Sequence, residues 1–239
     1  SGSFRITWLS SQSGNQAPGA LAKDGPLQTY ENLPVGSSVG SFSASDPDGD
    51  ELSYYLVSGA GDTANSYFTL AVNGSLKTAV FFDYETNAST YSIRVQAKDQ
   101  HNASIEGNFT ISLLNFNEPP SSLSLSQSQI NENQAVGSFV GDFTATDPEG
   151  DVLSYSLVSG AGDTANSYFI LETNGSLQTA VDFDYENNAS TYPIRVQATD
   201  SSNASTESNF TILLHNIYEP ITDIIPTDFN FTENLPIGS

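Results

Sequence analysis

Hydrophobic and polar residues alternate with a period of two along much of the chain. Leu52, Tyr54 and Leu56 mark one such stretch, Ile93, Val95 and Ala97 a second, and Phe109, Ile111 and Leu113 a third. Successive side chains of a strand point to opposite faces, so this pattern predicts strands with one face buried. Shorter strands are expected at Val39–Ala44, Tyr67–Leu70 and Leu76–Thr78, with a lead strand near Gln28–Asn32. Turn chemistry separates them: Asp-Gly at 48–49, Gly-Ala-Gly at 59–61 and Asn-Gly at 73–74. Asn-Gly between two apolar runs is a strong hairpin signal. No segment keeps a 3.6-residue period with caps at its ends, so little helix is expected.

The same pattern then recurs. The string GAGDTANSYF begins at Gly59 and again at Gly160, an offset of 101 residues. Residues 28–119 and 129–220 are identical at about 70% of positions under that offset. Glu31 and Glu132 continue to Glu233, so a third copy begins near Pro226. The predicted organisation is residues 1–18 as the tail of a preceding repeat or a linker, 19–119 and 120–220 as two full repeats, and 221–239 as the start of another. About seven short strands in ~100 residues is the expectation for an antiparallel Ig-like sandwich. The chain therefore reads as all-β tandem sandwiches joined end to end, cut from a longer protein.

Composition narrows the chemistry. The chain of 239 residues has 28 acidic and 6 basic residues, a formal net charge of −22. Such a surface repels nucleic acid and anionic lipid. There is no apolar run long enough to span a membrane, and the first residues do not form a signal-peptide pattern. Cysteine is absent, which removes disulfides and thiolate metal sites. Nine Asn-x-Ser/Thr sequons occur; Asn108, between inward-facing neighbours, should face solvent.

The acids are clustered. Asp46-Pro47-Asp48-Gly49-Asp50 recurs as Asp147-Pro148-Glu149-Gly150-Asp151. A calcium ion takes six to eight oxygens, and alternate acids around a glycine turn can wrap one. An acidic β-turn is the plainer reading, but three carboxylates in five residues repel one another without a cation. An EF-hand is excluded, because the twelfth position from Asp46 is Val57. The other acids are Glu31, Asp83, Glu85 and Asp99, with Glu132, Asp184, Glu186 and Asp200 as counterparts.

As a set these residues resemble the motifs of cadherin repeats. Glu31-Asn32-Leu33-Pro34-Val35-Gly36 resembles the opening Glu-Asn-x-Pro-x-Gly, Asp46-Pro47-Asp48 the Asp-x-Asp, Asp83-Tyr84-Glu85 the Asp-Arg-Glu, and Asp99 the single Asp. The DPDGDELSY string and the GAGDTANSYF stretch look more like the cadherin-like repeats of large bacterial cell-surface adhesins than like animal cadherins. The resemblance implies calcium between successive repeats. Glu31, Asp83 and Glu85 of one repeat would be combined with Asp147, Glu149 and Asp200 of the next, the linker Asn115, Asn117 and Glu118 lying between them. Glu132, Asp184, Glu186, Asn216 and Glu219 would form the corresponding half-site of the following junction, and Asp46, Asp48 and Asp99 that of the preceding one. The linkers depart from the family's Asp-x-Asn-Asp-Asn: Leu113 and Phe116 stand at its acidic positions, and Tyr218 replaces the second Asn. Asp50 and Asp151 are then candidates for a more local site at each pole.

The implied function is a calcium-binding extracellular segment that rigidifies a cell-surface adhesin and supports calcium-dependent adhesion. Two other readings are a calcium-dependent carbohydrate-binding module using exposed Tyr55 and Tyr67, and homophilic contact between copies. The lone Trp8 is at a strand-like position and does not match a strand-swapping Trp. The expected partners are calcium ions, with cell-surface glycans or another copy of the chain as adhesive partners. No catalytic group is evident: His101 and His215 do not recur between repeats, and no Ser nucleophile has a His partner.

Overall fold

A computed structural model of the chain describes residues 14–219. The tail of the preceding repeat up to residue 13, Trp8 included, and the third repeat with Glu233 and Asn230 lie outside the described residues. The described residues divide after Asn117 into two compact units.

In unit 1 the strands are β1 (Gly19–Lys23), β2 (Gln28–Tyr30), β3 (Ser38–Ser45), β4 (Leu52–Leu56), β5 (Phe68–Leu70), β6 (Ser75–Thr78), β7 (Thr90–Asp99) and β8 (Ser104–Leu114). They form two four-stranded sheets, ordered β1-β3-β6-β5 and β2-β8-β7-β4. Unit 2 repeats the plan with β9 (Ser121–Leu125), β10 (Gln129–Asn131), β11 (Phe139–Thr146), β12 (Ser154–Leu157), β13 (Phe169–Leu171), β14 (Ser176–Thr179), β15 (Thr191–Thr199) and β16 (Ser205–His215). Its sheets are ordered β9-β11-β14-β13 and β10-β16-β15-β12. All pairs are antiparallel except β2 with β8 and β10 with β16.

The period-two stretches become the core. Ile93, Val95 and Ala97 on β7 and Ile111 on β8 are fully buried, and so are Ile194, Val196, Ala198 and Ile212 in unit 2. Phe109 packs edge-on against Phe42 at 4.8 Å, joining the two sheets across the core. At the Asn73-Gly74 turn Gly74 has φ +88°, and an added Cβ would collide with the Phe42 carbonyl. Only glycine suits that position, where the Gly74 carbonyl also accepts the Phe42 N–H at 2.9 Å.

Two local features differ from the sequence reading. The strand expected at Tyr67–Leu70 begins one residue later, after a 3₁₀ turn over Asn65–Tyr67. Asn65 bends the chain there: its Nδ2 donates to the Val57 carbonyl at 2.9 Å and its Oδ1 accepts the Arg94 N–H at 3.0 Å. The lead segment is two strands rather than one, so each unit has eight. Gly19–Lys23 pairs with β3 and, after a turn, Gln28–Tyr30 crosses to the other sheet.

Register assigns the loops to poles. Gly19 lies opposite Ser45 and Leu52 opposite Asp99, so the 46–51 and 100–103 loops share the pole where unit 1 begins. At the other pole Tyr30 lies beside Leu114, and Thr90 lies opposite Ser112. Glu31, Asn115 and the 79–89 segment are therefore brought together there. In unit 2 the pairs Ser121–Thr146, Ser154–Thr199, Asn131–His215 and Thr191–Leu213 do the same.

Candidate metal centre

At the pole where each unit ends, a glutamate is buried and held by backbone. Glu31 is 2% exposed; its Oε2 accepts the Tyr84 N–H at 2.6 Å and its Oε1 the Phe116 N–H at 2.8 Å. Glu132 is 1% exposed and accepts the Tyr185 and Ile217 N–H groups, both at 2.7 Å. One N–H on each oxygen fixes the carboxylate and leaves further lone pairs for a cation.

Around Glu132 the neighbouring acids converge. One carboxylate oxygen each from Glu132, Asp184 and Glu186 lie within 4.8 Å of one another. Asp184 Oδ1 accepts the Glu186 and Asn187 N–H groups at 3.0 and 3.1 Å, and its Oδ2 accepts Asn187 Nδ2 at 2.6 Å. Asn216 Nδ2 donates to Glu186 Oε1 at 2.8 Å, and Asn133 donates to Glu219. In unit 1 Glu31 and Glu85 approach to the same limit, Asn115 donates to Glu85 at 3.2 Å, and Asp83 Oδ1 accepts the Thr86 N–H. Asn117 closes unit 1.

The opposite pole is organised by the acidic turn. Asp46 Oδ1 accepts the Asp48 and Asp50 N–H groups at 2.9 and 3.2 Å, around Gly49 at φ +79°. Its Oδ2 is buried with no hydrogen-bond partner, as are Asp147 Oδ2 and Glu149 Oε1 in unit 2. Glu118 N–H reaches Glu149 Oε2 at 3.5 Å, and oxygens of these two glutamates also come within 4.8 Å. Asp99 and Asp200 are 4% and 5% exposed, and each Oδ1 accepts two N–H groups of the following turn.

Asp50 and Asp151 are engaged by the loop that follows β7 and β15. Asp50 binds Gln100 Nε2 at 2.7 Å and His101 Nδ1 at 2.9 Å; Asp151 accepts the Ser201 hydroxyl at 2.7 Å. They tie the acidic turn to the neighbouring loop. The hydrogen bond and charge of Asp50 raise the His101 pKa, against the opposing effect of its desolvation. At Asp99 desolvation pushes the pKa up, but the bonds from Asn15, Ala103 and His101 outweigh it and the net shift is downward. Two residues ahead of β1 reach this pole: Asn15 Nδ2 donates to Asp99 at 2.8 Å and the Gln16 N–H to Asp48 at 2.6 Å. No side-chain pattern announces a backbone donor, so the Gln16, Tyr84 and Phe116 N–H groups carried no signal in sequence.

Buried, partnerless carboxylate oxygens are costly unless a cation meets them. The ion pairs formed among the described residues, Arg94–Glu106, His101–Asp50 and Arg195–Glu207, involve none of Glu132, Asp184 and Glu186. A donor set made only of carboxylate and amide oxygens selects a hard cation, and the residues present fit calcium.

The cadherin domain model matches residues 26–114 and 126–215. The chain belongs to the cadherin family. It is 32% identical to human protocadherin Fat 4 over 218 residues, covering 88% of this chain and 4% of that protein. With human cadherin-17 it shares 29% over 216 residues, 81% of this chain and 25% of the relative. It thus spans a small part of the curated relatives it matches. Among solved structures, human protocadherin-24 EC1-2 superposes with a TM-score of 0.60 at 22% identity, covering 83% of this chain and 99% of that one. Drosophila N-cadherin EC1-4 gives 0.61 at 20%, covering 85% and 50%. Those two likenesses speak for the fold. Cadherin repeats are typically extracellular, calcium-dependent adhesion modules, not enzymes, and generally bind calcium. Among the described residues no helix is long and apolar enough to cross a membrane.

Proposed function

We propose that this chain is a calcium-stiffened segment of a cell-surface adhesin, holding an adhesive module away from the surface that carries it. The observation that carries the reading is the convergence of Glu132, Asp184 and Glu186 within 4.8 Å around a glutamate held by two backbone N–H groups. Three carboxylates at that separation repel, and a divalent ion turns the repulsion into a shared attachment. Glu31, Asp83 and Glu85 would act with Asn115, Asn117, Glu118, Asp147, Glu149 and Asp200 to hold ions between consecutive repeats. Glu132, Asp184, Glu186, Asn216 and Glu219 would repeat this half-site, and Asp46, Asp48 and Asp99 would face the preceding junction.

When bound, calcium supplies positive charge and oxygen coordination; it performs no bond chemistry here. The protein's own contribution is to hold the oxygens in place before the ion arrives. Tyr67, one of the aromatics that the carbohydrate reading would use, tilts against Phe82 and Tyr91.

Small-angle X-ray scattering of the chain with calcium and with a chelator tests the proposal. Calcium should narrow the distribution of particle dimensions and lengthen the maximum one. An identical, equally rigid profile in both conditions would sink the stiffening role. Glu85→Ala should weaken calcium binding while both sandwiches stay folded.

A further inference from the structure

Unit 2 carries a cleft at one sheet edge. It has a volume of about 190 Å³ and runs along the edge strand β10 toward the start of β11. Gln129 and Asn131 alternate with buried Ile130 and therefore present their amides on the outer side of β10. Register places His215 beside Asn131 on the adjacent strand. Gln127, Gln134, Ser138, Thr179 and the exposed Phe139, 58% accessible, complete the lining. Gln127 Nε2 is engaged with the Gln129 carbonyl at 3.1 Å.

Two features of this lining are selective. In a chain with 28 acidic residues, no Asp, Glu, Lys or Arg lines the cleft. Six of the nine lining residues also depart from the repeat: Pro26, Thr29, Tyr30, Leu33, Ser38 and Leu114 stand where unit 2 has Gln127, Ile130, Asn131, Gln134, Phe139 and His215, while Gln129, Ser138 and Thr179 keep the residues of unit 1. With about 70% identity over the repeats as a whole, divergence at six of nine lining positions changes the chemistry of that edge and not the fold beneath it. The corresponding pole of unit 1 is instead apolar, with Tyr30, Leu33 and Phe116 around its concavity.

We propose that this cleft binds a neutral sugar residue. Each Gln or Asn amide offers both a donor and an acceptor, matching hydroxyl groups that are themselves both. Phe139 supplies an exposed aromatic face against which the C–H face of a pyranose can lie. The volume is below the roughly 300–1,000 Å³ of drug-sized pockets and suits a single ring. Absence of charged lining, within a strongly negative molecule, favours a neutral sugar over a uronic or sialic acid. The inference stands apart from the calcium reading, because it uses none of the proposed ion ligands.

The test is ¹⁵N NMR of the full chain in calcium-saturated buffer, titrated with glucose, galactose and N-acetylglucosamine. At least one should give saturable shifts confined to residues 127–139 and 215, with a Kd of order millimolar as expected for so small a ligand. Phe139→Ser and Gln134→Leu install the unit 1 residues, which the same fold accepts, and each should weaken binding about tenfold or more. If Phe139→Ser disturbs the spectrum globally, Gln134→Leu decides alone. No saturable shift with any of the three sugars up to about 100 mM, or shifts that both variants leave unchanged, would overturn the proposal.

Discussion

Replacing Glu186 by Gln separates electrostatic repulsion from ion binding. Glu186 is exposed, and its Oε1 accepts Asn216 Nδ2, a bond that a Gln carbonyl can keep. Its charge faces those of Glu132 and Asp184 within 4.8 Å. At that distance two unit charges repel by about 1 kcal/mol in a water-like dielectric and about 3 kcal/mol at an effective value of 20. Exposure puts Glu186 near the lower figure, so removing two repulsive pairs should stabilise the calcium-free unit by about 2 kcal/mol. For a domain of this size that is a rise in melting temperature of about 8 °C or more. Added salt should shrink the gain, because the wild-type repulsion is itself screened.

Calcium should act in the opposite sense. Ion at a hundred times its Kd stabilises the wild type by about 2.7 kcal/mol, and a tenfold loss of affinity removes about 1.4 kcal/mol of that increment. Glu186→Gln should therefore melt higher than wild type in chelator, yet gain about half as much or less when calcium is added. Differential scanning calorimetry at low and high salt, with chelator and with calcium, reads both quantities. A calcium-free melting point at or below that of wild type, or an unchanged calcium increment, would refute the reasoning.

Two further substitutions probe the scaffold and its titration. Gly175→Ala places a Cβ about 2.5 Å from the Phe143 carbonyl at a residue with φ +97°, and should cost about 1–3 kcal/mol in chemical denaturation without altering calcium affinity. An unchanged midpoint would show that the turn is not constrained. Tyr192 has its phenol pKa raised above 10.0, first by desolvation and then by the charge of Tyr168. Folding thus favours the neutral phenol: its contribution is full below the unfolded value near 10 and is lost as pH rises through the higher folded value. The melting temperature of wild type should fall more steeply above about pH 10 than that of Tyr192→Phe, and equal slopes would contradict this.

The sandwich was legible because its signal is redundant. Ile93, Val95 and Ala97 alternate on a strand long enough to show the period, and the 101-residue offset repeats the whole statement at Ile194, Val196 and Ala198. The lead strands were harder to read. Gly19–Lys23 buries none of its five residues fully and contains a bulge after Gly19, so the alternation that reveals a strand is missing. Asn65 reads in sequence as one more polar residue before a strand; only the fold puts Val57 and Arg94 within reach of its amide. The candidate site was legible as a list of acids and opaque as geometry. Glu31 and Asp48 are equally acidic in sequence, yet one is buried against two backbone N–H groups and the other is exposed. That difference is made by the parallel pairing of β2 with β8, which carries Glu31 to the exit of β8.

The two kinds of pole should therefore differ in their appetite for a cation. At the pole where unit 1 begins, hydrogen-bond donors already satisfy much of the acid: Asn15 on Asp99, the Gln16 N–H on Asp48, and Gln100 with His101 on Asp50. An ion arriving there must displace or share those bonds, and among the described residues of that pole only Asp46 Oδ2 is buried without one. Around Glu132 three carboxylates converge without a Lys or Arg ion pair among the described residues. Neutral donors hold each of these carboxylates too, but none carries a charge, so a cation still relieves most of the repulsion. We expect calcium to fill the site at Glu132 first and the pole at Asp46 last. Equilibrium titration of Glu132→Gln and Asp46→Asn reads this order: the first should remove a tight step, the second a weak one. The reverse would mean that a buried, unpartnered oxygen draws the ion more strongly than three converging carboxylates.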